Sequence, residues 1–134
     1  MANVITNLGE EWAVDRLVGS GTYSAFTGAY VGWGTGTTGA AKADTSVETE
    51  VAVNTGTDAY VGRVSGTITK TGTGAAAKWQ NIAILTSTAT QTIANAGTYS
   101  INASTGVLFL HGNFTGIPLG PGDSIQFTFT LDPA

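Results

Sequence analysis

The chain has 134 residues, a net charge of −4, 10% charged residues and no cysteine. Five scattered basic residues exclude a phosphate-tracking surface, so no nucleic-acid partner is expected. The missing thiols exclude disulfides, Cys-ligated zinc and thiol catalysis.

A hydrophobic fraction of 42% is that of a globular chain. At this length folding buries roughly two thirds of the unfolded surface, enough for one domain over residues 1–134 without staples. With so few charges, much of the surface must be Thr, Ser, Asn, Gln and Gly. No apolar run approaches the roughly 20 residues that span a bilayer, so no membrane partner is expected. The first fifteen residues hold Glu10, Glu11 and Asp15 but no Lys or Arg, which argues against a secretion signal and for synthesis in a cytoplasm.

In chain order, residues 1–6 read as an N-terminal arm. Asn7-Leu8-Gly9-Glu10 fits a capping box with Asn7 as N-cap, and Leu8 to Val18 reads as one short helix ended by Gly19. Residues 20–28 form a polar connection. Ala29 to Trp33 reads as a strand, and Gly34 to Ala43 as a Gly/Thr-rich loop. Thr45-Ser46-Val47-Glu48 is either a single helical turn or a plain loop leading into a strand.

Tyr60 to Ile68 alternates, with Tyr60, Val64 and Ile68 on one face and Arg63, Ser65 and Thr67 on the other. Thr71 to Gly74 punctuates. Ala75 to Thr86 predicts a strand with Ile82 and Ile84 on one face and Trp79, Ala83 and Leu85 on the other. Ala94 to Gly97 reads as a turn before a strand from Thr98 to Ile101. Gly106 to Leu110 is apolar on both faces, as in a central strand. Ile117 to Gly122, with Pro118 and Pro121, reads as a loop. Ile125, Phe127, Phe129 and Leu131 alternate with Gln126, Thr128 and Thr130, the clearest strand in the chain. The fold class is all-β: an antiparallel β-sandwich or jelly roll with one short N-terminal helix.

Catalytic groups are scarce. His111 is the single histidine, with Asp123 the nearest candidate acid for a triad, and no nucleophile elbow accompanies them. His111 reads better as a polar residue ending a buried strand. Gly34-Thr35-Gly36-Thr37-Thr38-Gly39 matches G-x-G-x-x-G literally, but no helix opens on the third glycine, so it reads as turns. Asp44, Glu48, Glu50 and Asp58 lack calcium-loop spacing and read as caps and a solvated face. The sequons at Asn102 and Asn113 read as turns and strand edges. No catalytic residue, cofactor or metal is therefore assigned, and no enzyme is expected. Trp12, Trp33 and Trp79 are candidates for core, interface anchors or a sugar platform. Trp79 reads as core, and Trp33, beside the glycine loop, fits core or interface equally well.

The stretch Tyr30-Val31-Gly32-Trp33-Gly34-Thr35-Gly36-Thr37-Thr38, with Asp44-Thr45 and Glu48, resembles small virion structural proteins of tailed bacteriophages. So do the opening Ile5 to Trp12 and the ending Leu108 to Gly112, Phe114 and Gly122 to Thr128. The resemblance implies a β-rich virion component without catalytic residues: a capsid decoration (cement) protein, or a tail or fibre component. The absence of repeats and stalk heptads suits a decoration protein better. A carbohydrate-binding β-sandwich is the other class. The expected partners are a major capsid protein and further copies of the chain, as a dimer or trimer. The expected location is the capsid surface. The interface residues expected are Tyr30 and Trp33 as anchors, with Ala2 and Val4 in an arm that reaches a neighbour.

Overall fold

A computed structural model describes residues 2–18, 30–54 and 62–131. These residues form an all-β sandwich of two antiparallel sheets, with one α-helix among them near the N-terminus. The elements are β1 (Ala2–Ile5), α1 (Asn7–Val18), β2 (Tyr30–Gly34), β3 (Glu50–Val51), β4 (Val64–Ser65), β5 (Thr67–Thr71), β6 (Lys78–Thr86), β7 (Gln91–Tyr99), β8 (Leu108–Leu119) and β9 (Ser124–Leu131). A 3-10 turn at Gly74–Ala76 separates β5 from β6. The larger sheet runs β1-β8-β7-β2-β3, with β4 also on β2, and the smaller runs β5-β6-β9.

The core lies between the sheets. Val31, Trp33, Ile93, Phe109 and Leu119 of the larger sheet face Ala83, Leu85, Phe127 and Phe129 of the smaller. The rings interlock edge to face: Trp33 stands at 79° to Phe127 with centroids 6.3 Å apart, and Trp79 at 85° to Phe109 with centroids 5.7 Å apart. Such pairs add to the burial of the rings themselves. The alternation expected in β6 and β9 holds: Ala83, Leu85, Phe127 and Phe129 are buried, while Ile84, Gln126, Thr128 and Thr130 are exposed.

Elsewhere the structure corrects the sequence reading. The helix begins as expected, but its cap is Thr6. The Thr6 Oγ1 accepts from the Gly9 N–H at 3.0 Å and donates to the Leu108 carbonyl. Residues 2–5, read as part of an arm, form β1 and pair with β8, placing Ala2 beside Asn113 and Val4 beside His111, while Met1 lies outside the described residues. The strand expected over 60–68 breaks at Gly66, where the chain passes from the larger sheet (β4) to the smaller (β5). A Cβ there would meet Asn81 Oδ1 at 1.7 Å, so the crossing needs glycine. Tyr60 lies outside the described residues, as do Ala29 and the connection at 20–28.

Ala94 to Gly97 is not a turn. It lies in the middle of β7, which is buried from Ile93 to Tyr99. Asn95 and Gly97 lie under a loop on the face that points away from the core, while Ala96 faces the core beside Trp33. Ile117 and Pro118 belong to β8, opposite Ile93 and Thr92, and the loop shrinks to residues 120–123. Between Ile93 and Asn95 the register slips, so that Phe114, Thr115 and Gly116 bulge opposite Ala94. The bulge swings Phe114 toward Phe127, with centroids 5.8 Å apart.

Phe127→Ala should cost about 3–5 kcal/mol, because burial is lost and a cavity remains between the sheets. Thr128→Ala, one residue along and on the open face, should change stability by about 0.5 kcal/mol or less. Urea denaturation of both variants checks the difference; equal losses would contradict the assigned faces.

Candidate functional site

Residues 35–49 form a strap across the face of the larger sheet that points away from the core. Glycine lets it lie that close: a Cβ on Gly34 would sit 2.0 Å from the Glu48 carbonyl, and one on Gly97 2.9 Å from Val47 Cγ1. This is what the G-x-G-x-x-G spelling does here. Gly34 and Gly36 admit Glu48, and Gly39 takes a positive φ of 104°. No helical turn forms at residues 45–48, which remain loop and turn.

Three buried polar residues fix the strap. Asn95 accepts from the Glu48 N–H at 2.8 Å and donates to the carbonyls of Gly36 and Glu48 at 3.1 and 3.0 Å. His111 places Nδ1 2.7 Å from Asp44 Oδ2 and Nε2 3.0 Å from Asn95 Oδ1. Tyr99 accepts from the Val47 N–H at 2.7 Å. His111 is thus a buried strand residue, as expected, but its acid is Asp44. Asp123 instead accepts from the Gly120 N–H, closing the turn before β9.

A second lock stands beside the first. Arg63 is 6% exposed. Its Nε and Nη2 grip Glu50 at 2.7 and 2.8 Å, and Nη1 donates to the Ala103 carbonyl at 2.9 Å. The guanidinium lies 3.4 Å from the centroid of the Tyr99 ring. Burial and the charge of Glu50 push the Tyr99 phenol well above its ordinary range, so it remains a neutral donor to Glu50. Arg63, expected on a solvated face, is therefore an internal residue; strand alternation does not register the ion pair that carries it inward.

These groups hold the strap and each other. A polar hollow of about 420 Å³ opens between Thr38, Asp44, Glu48 and His111. Among the described residues no group of three or more His, Asp or Glu side chains is placed to hold a metal ion. Asp58 lies outside the described residues. Asn102 and Asn113, which open the two sequons, accept from the N–H groups of Arg63 and Ala40.

Of the expected interface residues, Trp33 is 0% exposed, packs in the core and donates from Nε1 to the Ala52 carbonyl at 3.2 Å. It is a core residue and not an anchor, because its strand turns it toward the smaller sheet. Tyr30 is half-buried against Val47, Tyr99 and Leu108. Val4 is half-buried in the edge strand β1, which also carries Ala2.

With the strap covering the larger sheet, the open β surface is the outer face of the smaller one. By register it carries Thr67, Thr69, Thr71, Lys78, Gln80, Ile82, Ile84, Thr86, Ser124, Gln126, Thr128 and Thr130. Lys78 is the single charge among them. Ile84 is 56% exposed in the midst of hydroxyls and amides. Thr86 and Ser124 pair across the strands at 2.7 Å. This face of hydroxyl, amide and methyl groups is the candidate functional surface. Sequence reasoning assigned its alternation correctly but looked for the interface at the aromatics. The signal that could have found it is the scarcity of charge at every second residue of β5, β6 and β9, where Lys78 stands alone. No protein family, curated protein or solved structure matches the chain.

Two outcomes follow for the locks. Glu50→Ala should cost about 3–5 kcal/mol, because it strands a buried guanidinium, and pairing it with Arg63→Met should recover most of the loss. Chemical denaturation of the single and double variants measures this. Glu48 is held below its ordinary carboxylate value chiefly by hydrogen bonding to Thr38, whose N–H donates to it at 2.8 Å. A depressed folded-state value means the contribution is present above pH about 4.5 and fades as pH falls through the folded value. Glu48→Gln should flatten that acid limb in a pH series of denaturation midpoints, and an unchanged limb would exclude Glu48 as its source.

Proposed function

We propose that the protein is a structural component of a tailed-phage virion, a decoration protein that binds the outside of the assembled head and stabilises it. The observation that carries this reading is the nearly uncharged outer face of β5, β6 and β9, exposed among the described residues while the strap covers the middle of the other sheet. The likeness of its motifs to virion structural proteins supports it further.

The mechanism is linkage. A protein that binds the assembled shell and not separated subunits stabilises the shell by RT ln(1 + [L]/Kd), about 2.7 kcal/mol per site at a hundredfold excess over Kd. Repeated over a lattice, modest contacts become a large resistance to internal pressure. The face supplies hydroxyl and amide hydrogen bonds around apolar Ile82 and Ile84, so shape and hydrogen bonding carry the contact. Charge contributes little, and added salt should weaken binding only slightly.

Cryo-electron microscopy of purified particles tests the reading. Stoichiometric density on the head, with β5, β6 and β9 against the shell, is the expected result. Density confined to the tail would reject it in favour of a tail component. Ile84→Asp should abolish head binding while leaving the circular dichroism spectrum unchanged, since Ile84 is exposed in the free protein.

A further inference from the structure

The open edge of β9 carries a second message, independent of what the sheet's face binds. Among the described residues β9 is hydrogen-bonded on one side alone, to β6. Its other side is an edge eight residues long with no charge, proline, glycine or bulge. Edge strands in folded proteins carry such features to prevent pairing with other chains. The opposite edge of the same sheet has one: β5 carries Lys70 and runs into Gly72 at φ +72°.

Beside the β9 edge lies a groove of about 490 Å³, walled by Phe114 of the β8 bulge, by Ile117 just after it and by Phe127 and Phe129. The sequence of β9 says what fits it. About Thr128 the strand reads nearly the same in both directions: Phe127 mirrors Phe129, Gln126 mirrors Thr130, and Ile125 mirrors Leu131. Antiparallel pairing of two such strands across a two-fold axis sets ring beside ring, amide beside hydroxyl and aliphatic beside aliphatic. No like charges meet, because the segment has none.

We propose that the occupant is a second copy of this chain. Two protomers join β9 to β9 about a two-fold axis through Thr128 and form one continuous six-stranded sheet. The inward residues stay inward and the outward ones outward, because such an axis runs perpendicular to the sheet. The dimer therefore presents the nearly uncharged outer face twice, on the same side of one sheet.

Sedimentation velocity over a concentration series, with single-cysteine cross-linking, tests this. The chain has no cysteine, so each introduced thiol reports alone. Thr128→Cys should give a disulfide-linked dimer under mild oxidation, because directly opposite residues of antiparallel strands hold their Cα atoms about 4.5–5.5 Å apart, within the span of a disulfide. Thr69→Cys, exposed on the far edge strand, should stay uncross-linked. Thr128→Lys should weaken the dimer roughly tenfold or more by setting like charges together, and mixing it with Thr128→Asp should restore a heterodimer. A wild-type chain that sediments as a monomer or trimer overturns the proposal. So does cross-linking at residue 69 in place of 128, or a dimer indifferent to Thr128→Lys in a chain that circular dichroism shows folded.

Discussion

A buried guanidinium must be paired, and in this fold its pairing organises much of the larger sheet. Arg63 stands just before the crossing from β4 to β5, and its charge reaches Glu50 at the start of β3, the Tyr99 ring at the end of β7 and the Ala103 carbonyl beyond it. Segments distant in sequence are thereby tied to one point. An unpaired charge at that depth costs several kcal/mol, so the four parts hold together or fail together. The paired arrangement is also specific. A bidentate fork accepts one carboxylate geometry, and the ring above it fixes the plane of the fork.

The strap depends on this lock. Glu50 follows Glu48 closely, so gripping Glu50 sets where the strap's backbone must run. Thr49, between them, takes a positive φ of 50°, a conformation unfavourable for a β-branched residue. The Thr35 N–H donates to the Thr49 carbonyl at 3.2 Å, and the Asn95 bonds to Glu48 hold the residue before it. Local strain is offset by several hydrogen bonds that only a closely laid strap can make. The result is a larger sheet covered on both faces across its middle, where β7 is buried from Ile93 to Tyr99. Its partner sheet is covered on one.

That asymmetry decides which parts of the fold were legible in the sequence. Where one face is buried and the other wet, the period of two is visible, and the faces of β6 and β9 are read correctly from Trp79 to Leu85 and from Ile125 to Leu131. Where both faces are buried, the period vanishes. In β7 the strap replaces water over Asn95 and Gly97, and Ala96 makes room for Trp33 in the core, so the segment is small and polar and spells a turn. Pro118 misleads for a related reason: it lies at the end of β8, where the strand is exposed, and proline is tolerated at such sites. Arg63 looks like a surface residue because its compensation, Glu50, lies thirteen positions away. Capping also shifted by one residue, since Thr6 is held by the β8 carbonyls while Asn7 stands exposed.

The same asymmetry bears on what the molecule can bind. Aromatic residues were natural candidates for an interface, yet Trp33 and Phe127 are already spent on joining the sheets, and little remains of them for a partner. What the smaller sheet leaves outside is Thr, Gln, Ser, two isoleucines and a single lysine. Such a surface offers no ionic steering, so encounter with a partner is governed by diffusion and shape. Each contact is weak, because hydroxyls and amides exchange water for protein hydrogen bonds at small net gain. Affinity can then come from repetition: a rigid face matched against a regular array engages many weak contacts at once, and a second face held on the same plane raises the effective concentration of each for its site. A charge-poor β face is an inefficient design for capturing one soluble molecule and an efficient one for lying against a surface that repeats.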